Sequence, residues 1–138
     1  SDQLAAEEMA LREQALEELC TALPSVTHAF LFDLMTGRIL VRRGGKGSLV
    51  LRVGLLAERI PGLSTFLRDL VAAEDRDEVE VFGMVTTRLT VVVAMVTQTQ
   101  EGIAAFADRA QPTALIEATM MRTVRSYATR VAGRLGVA

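Results

Sequence analysis

Between Glu78 and Gln98 lies the stretch that most restricts the fold: Val91, Val92, Val93, Ala94, Met95 and Val96 follow one another without a polar residue. A strand with one solvated face alternates, whereas an unbroken apolar run belongs to a strand covered on both faces. The run predicts a strand over Leu89 to Thr97, paired antiparallel with Val79 to Thr86 through a turn at Thr86, Thr87 and Arg88. Both faces of such a sheet need helices, so the chain is expected to organise itself around this hairpin.

The 138 residues suffice for one domain with a core of its own, and half of them are apolar. A formal charge of -2 gives no reason to expect nucleic acid, whose binding rests on clustered Lys and Arg neutralising phosphates. A single cysteine, Cys20, excludes an internal disulfide and fits a reducing cytoplasm, with a secreted protein that has no bridge left open. No run of about 18 apolar residues is present, so no membrane span is expected.

Asp2 to Ala22 reads as a helix, with Asp2 as its cap and Met9, Leu16, Leu19, Cys20 and Leu23 on one stripe; Pro24 ends it. Cys20 on that stripe reads as a small buried hydrophobe, with no histidine nearby in sequence to activate it. Val26 to Leu34 and Arg38 to Arg43 read as a hairpin whose turn needs Gly37 at positive φ. His28, Phe30, Phe32 and Leu34 then share one face, Ala29, Leu31 and Asp33 the other. His28 is the only histidine and reads as a polar strand-end residue, since no second imidazole, Cys or acidic cluster at metal spacing accompanies it.

The stretch from Arg42 to Ser48 is basic and glycine-rich, yet a Walker loop needs Gly where Leu40 stands and Ser or Thr where Gly47 stands. It reads as a solvated connection that offers Arg42, Arg43 and Lys46 to a partner's acidic surface. From Leu49 to Arg59 the period is helical, with Leu49, Val53, Leu56 and Ile60 on one stripe and Leu51 and Leu55 opposite; because Leu49, Leu51 and Val53 also alternate, a strand over Ser48 to Val53 stays open. Pro61 and Gly62 predict a break or kink, with Ser64 capping a second segment from Thr65 to Ala73. The charged run Glu74 to Glu78 reads as a solvated connection with no pocket around its carboxylates. Gln98 to Gly102 reads as a turn and Ile103 to Ala107 as a short last strand. Pro112 opens a long helix to about Arg134, with Ile116, Met120, Val124, Tyr127 and Val131 buried.

The order helix, two strands, interrupted helix, three strands, long helix resembles the roadblock family of dynein light chains and their bacterial and archaeal relatives. The likeness spans about Leu11 to Val131 and is carried by the strand Thr-His-Ala-Phe-Leu-Phe-Asp, the Gly37 turn, the strand Arg-Ile-Leu-Val, the pair Glu-Val-Glu-Val-Phe-Gly-Met-Val and Leu-Thr-Val-Val-Val-Ala-Met-Val, and Ile-Ala-Ala-Phe-Ala-Asp before the last helix. Profilin-like and longin-like sensing domains share much of this pattern. The expected fold is α+β: a five-stranded antiparallel sheet over residues 1–138, with the first and last helices on one face and the interrupted helix on the other.

The resemblance implies a non-enzymatic, cytoplasmic homodimer without cofactor or metal that binds a Ras-like small GTPase or serves a motor, motility or signalling assembly as adaptor. The alternative is a small-molecule-sensing module with its pocket between sheet and helix. In a monomer Leu51 and Leu55 would face water as adjacent large apolar groups, which places them near a two-fold axis. The resemblance points to the same helix and to the strand from Val79 to Val85, with Val79, Val81 and Gly83, as the edge that joins two sheets.

Overall fold

In the computed structural model, which describes residues 2–44, 49–75, 77–109 and 111–134, with the side chains of 49–53, 74 and 75 left aside, three helices enclose one sheet. The elements are α1 (Asp2–Ala22), β1 (Val26–Asp33), β2 (Ile39–Gly44), α2 (Leu49–Asp75), β3 (Val81–Val85), β4 (Leu89–Val96), β5 (Glu101–Asp108) and α3 (Thr113–Arg134). All neighbouring strands are antiparallel, in the order β2-β1-β5-β4-β3. α1 and α3 cover one face and α2 the other, which gives two apolar layers separated by the sheet.

Every residue of β4 is buried, as the apolar run requires. Its partner β3, however, is an edge strand of five residues that begins at Val81, so Val79 precedes it and the hairpin is not the middle of the sheet. The middle belongs to β5, expected as a short last strand over Ile103 to Ala107 but observed over Glu101 to Asp108 between β1 and β4. The turn is confined to Thr97 to Gln100, where Gln100 takes φ 56°, so Glu101 and Gly102 lie in the strand. The small residues of β5 are what a central strand under large neighbours needs. A Cβ on Gly102 would stand 2.3 Å from Phe32 Cζ, and Phe32 belongs to a cluster of tilted rings with Phe30 at 5.8 Å, Phe30 in turn lying 5.9 Å from Phe106.

The turn between β1 and β2 forms as the sequence dictates. Asp33 Oδ1 accepts from the Met35 N–H at 2.7 Å, and Gly37, at φ 75°, donates its N–H to the Asp33 carbonyl at 2.9 Å. A bulge between Leu31 and Phe32 lets Leu40 and Val41 both pack towards α1 and α3 while Ile39 packs towards α2.

The expected interruption of α2 does not occur. The helix runs through Pro61 for 27 residues, and residues 49–53 are its first turn and not a strand. Proline there removes the N–H that would reach the Ala57 carbonyl, a defect that costs about 3 kcal/mol in a free helix. Burial offsets it: Ala57, Ile60, Pro61 and Ser64 form the face against the sheet, with Pro61 over the Gly37 turn. Ser64 is not a cap. Its hydroxyl is buried mid-helix and donates to the Ile60 carbonyl at 2.8 Å, the back-bonding that lets a hydroxyl sit inside a helix.

Candidate functional site

The exposed side of α2 carries four large apolar residues with the charged Arg59 among them and Glu58 and Asp69 at its margin. Leu55 is 71% exposed, Leu63 40%, Phe66 61% and Leu70 53%. At 100° per residue these four fall within an arc of about 80°, opposite Ala57, Ile60 and Ser64. Leu51, by its position, lies about 40° beyond the Leu55 end of this arc; its side chain lies outside the described residues. Leu55 therefore stands where the sequence placed it. Phe66 and Leu70 read as apolar residues of a separate segment from Thr65 to Ala73 because a break at Pro61 restarts the helical count, whereas an unbroken count carries Leu55 directly into Phe66.

Beside this helix the sheet ends in β3, and its two edges differ. β2 carries a bulge and the exposed Arg42 and Arg43, features that discourage pairing with another chain. β3 has no charged residue, and its register with β4 runs from Val81 to Val85 without irregularity. Val81 packs with the α1 and α3 layer; Gly83, on the same side, lies 3.7 Å from Thr113 Cγ2 by its would-be Cβ. Val79, Phe82 and Met84 are half-buried against the α2 layer. Leu55 and Val79 thus belong to the α2 side, Val81 and Gly83 to the other, and the edge itself is shared.

The basic candidates divide. Arg43 pairs with Glu17 of α1, Arg42 is exposed at the end of β2, and Lys46 lies outside the described residues. Cys20 is half-buried, and burial pushes its thiol up despite the opposing influence of Arg43, the reverse of an activated nucleophile. The charged connection departs from expectation: Asp77 and Glu78 border an open groove of about 410 Å³ with Arg68, whose Nη2 donates to Gln100 Oε1 at 2.9 Å. Both carboxylates are exposed.

His28 is buried, and its neighbours decide its tautomer. The Thr27 hydroxyl donates to the Phe106 carbonyl at 3.2 Å, so its oxygen accepts from His28 Nδ1–H at 3.1 Å, and Nε2 is buried without a partner among the described residues. Burial lowers the His28 pKa from its ordinary 6.5. The unfolded chain then takes up the proton more readily. The stability owed to the neutral ring is complete above about pH 6.5 and declines as pH falls towards the folded-state pKa. Urea midpoints of the wild type are expected to drop between about pH 7 and pH 5; His28→Gln should drop less, and an equal drop would assign the effect to other groups.

The polar cluster absent from the sequence reading is Arg12, Glu101 and Tyr127. Glu101, 3% exposed, accepts from the Tyr127 hydroxyl at 2.7 Å and from Arg12 Nε at 2.8 Å. Burial, reinforced by Glu101, raises the Tyr127 pKa well above that of a free phenol. Two further pairs strap α1 to α3: Glu18 with Arg130 at 3.0 Å and Glu7 with Arg134 at 2.8 Å. One signal was available, because a tyrosine on a buried helix stripe needs a partner for its hydroxyl.

No protein-family model matches the sequence, and no curated protein matches it. Solved structures do. An MglB with a tetrameric arrangement superposes over 91% of this chain and 92% of its own with a TM-score of 0.69 at 17% identity. The gliding protein MglB from Thermus thermophilus covers 91% and 93% at the same TM-score and 18% identity. A Roadblock/LC7 domain from Streptomyces avermitilis covers 82% and 91%, with a TM-score of 0.66 and 18% identity. With the same element order and an antiparallel five-stranded sheet, this chain has the roadblock/LC7 fold.

Proposed function

We propose that the chain is a non-catalytic, dimeric regulator or adaptor that binds a Ras-like small GTPase or takes its place in a motor, motility or signalling assembly. The observations that carry this reading are the four exposed apolar side chains around Arg59 on α2 and the uncharged, regular edge of β3. A monomer would leave four large apolar side chains of one helix in water, and a two-fold contact covers them twice over. The names of the similar structures, one a tetrameric arrangement and one a gliding protein, support self-association and a motility setting. A regulator that selects one conformation of its partner needs no nucleophile or base of its own, because the partner supplies the chemistry.

The test is capture. The immobilised chain, offered Ras-like GTPases of the same organism loaded with GDP or with a non-hydrolysable GTP analogue, is expected to retain one of them in a nucleotide-dependent manner. Retention of none by an intact dimer would remove the GTPase reading and leave that of an adaptor. The chain alone is expected not to bind GTP, since Lys46 has Leu40 and Gly47 at the two positions where a phosphate loop needs Gly and Ser or Thr. Calorimetric binding of GTP at about micromolar strength would contradict the non-catalytic assignment. A second reading, a ligand-sensing module, is favoured by one observation: the recess above Glu101.

A further inference from the structure

We propose that the recess between α1, α3 and the β4–β5 turn binds a small zwitterion, a free amino acid with a short apolar side chain. Its floor is already built. The carboxylate of Glu101 is fixed by Tyr127 at 2.7 Å and by Arg12 Nε at 2.8 Å. Buried ion pairs of this kind are seldom worth more to stability than apolar residues of the same size.

What the floor leaves open lies on the rim. With Nε committed to Glu101, Arg12 has its terminal nitrogens to offer, and Nη2 stands 4.0 Å from Glu8 Oε2. That separation is too long for a hydrogen bond. Arg12 and Glu8 are therefore a loose, partly exposed ion pair on the rim, which a ligand bearing both charges can divide. The guanidinium fork matches a ligand carboxylate bidentately. Glu8, mostly outside the core, matches an ammonium group. Leu11 and Val131 supply an apolar wall for a side chain, and Thr99 borders the opening.

Charge and size select the ligand. Arg134 is held by Glu7 and the Arg12 Nε by Glu101, which leaves the Arg12 terminal nitrogens and Glu8 as the two opposite charges of the rim, a pair that a simple anion or a simple cation would satisfy only on one side. A zwitterion adds no net charge to this pair. The volume is about 240 Å³, below the roughly 300–1,000 Å³ of pockets for drug-sized ligands, so a nucleotide does not fit and a molecule the size of valine does.

The experiment is an NMR titration of the full chain with L-valine, compared with isobutyrate and isobutylamine, which each keep one of its charges. Valine is expected to shift the amide signals of Leu11, Arg12 and Thr99 and to saturate at about millimolar concentration. Each comparison compound should bind at least about tenfold more weakly. Val131→Phe fills the recess without touching a charge and should abolish the shifts. Arg12→Lys keeps a cation beside Glu101 but loses the fork, and should weaken valine by about tenfold or more. If Val131→Phe fails to fold, the comparison compounds and Arg12→Lys still decide. Absence of local shifts at about 10 mM valine, an equal response to isobutyrate or isobutylamine, or full binding by a folded Val131→Phe would overturn the site. The site is independent of the GTPase reading, so a chain that captures no GTPase is still expected to take valine.

Discussion

Replacing Leu55 and Phe66 together by Asp is expected to convert a dimer into a folded monomer. Both side chains are mostly exposed on the outer face of α2, so the substitutions remove nothing from the core on which folding depends. Fully burying such a side chain is worth roughly 1.5–3 kcal/mol, and about two thirds of that remains to be gained when two protomers meet. A two-fold axis counts each residue twice, which makes the four side chains worth about 4–8 kcal/mol. The dissociation constant should therefore rise at least about a thousandfold, before the cost of desolvating four carboxylates is added. Light scattering across a concentration series measures the change, and far-UV circular dichroism confirms that the helices persist. A wild-type monomer would overturn the dimer, and a mutant dimer of undiminished affinity would move the interface to another face. Leu51→Asp with Leu55→Asp tests the same surface one turn earlier on the helix.

That surface was half legible in the sequence, and the missing half has a physical cause. The phase of the first turns of α2 put Leu55 opposite the residues that meet the sheet, and it is there. Proline is read as a stop because it lacks an N–H and crowds the preceding turn. In this chain Pro61 is buried over the Gly37 turn while Ala57 and Ile60 pack on the aromatic layer, so tertiary packing overrides the local signal and the helix continues through Phe66 to Leu70. The centre of the sheet was misplaced for a related reason. A strand made of Gly102, Ala104, Ala105 and Ala107 has little intrinsic preference to be one. Its small residues fit between two helical layers that bring their own bulk, and that requirement becomes visible only once Phe32 is seen resting on Gly102. By contrast β4, the Gly37 turn and α1 are dictated locally, by an apolar run, a positive φ and an amphipathic pattern, and they match the sequence reading almost residue for residue, except that Asp2 lies in the first turn of α1 and does not precede it as a cap. Glu101 was hidden because its partners Arg12 and Tyr127 lie 89 and 26 residues away in the chain.

Gly102→Ala should be among the most damaging single substitutions in the molecule, although it adds one methyl group to an ordinary β-strand residue. The added Cβ would meet three atoms of the Phe32 ring at 2.3, 2.8 and 2.8 Å, well inside van der Waals contact. The ring has little room to retreat, since Phe32 is wholly buried and Phe30 lies against it at 5.8 Å. Overpacking a filled core costs about 1–3 kcal/mol and sometimes more, and a clash with the middle of a buried ring belongs at the upper end. At about 3–5 °C per kcal/mol for a domain of this size, the melting temperature should fall by about 10 °C. Because the cost is a collision between two named side chains, it should be non-additive. Phe32→Leu alone is expected to destabilise by opening space in the aromatic layer, whereas Phe32→Leu combined with Gly102→Ala should be more stable than the sum of the two changes, since the methyl group occupies part of what the ring vacates. Thermal melts of the four proteins complete the cycle. A Gly102→Ala variant that melts within about a degree of the wild type, or a double mutant that is strictly additive, would show that the close approach of Phe32 to the β5 backbone does not set the packing of this layer.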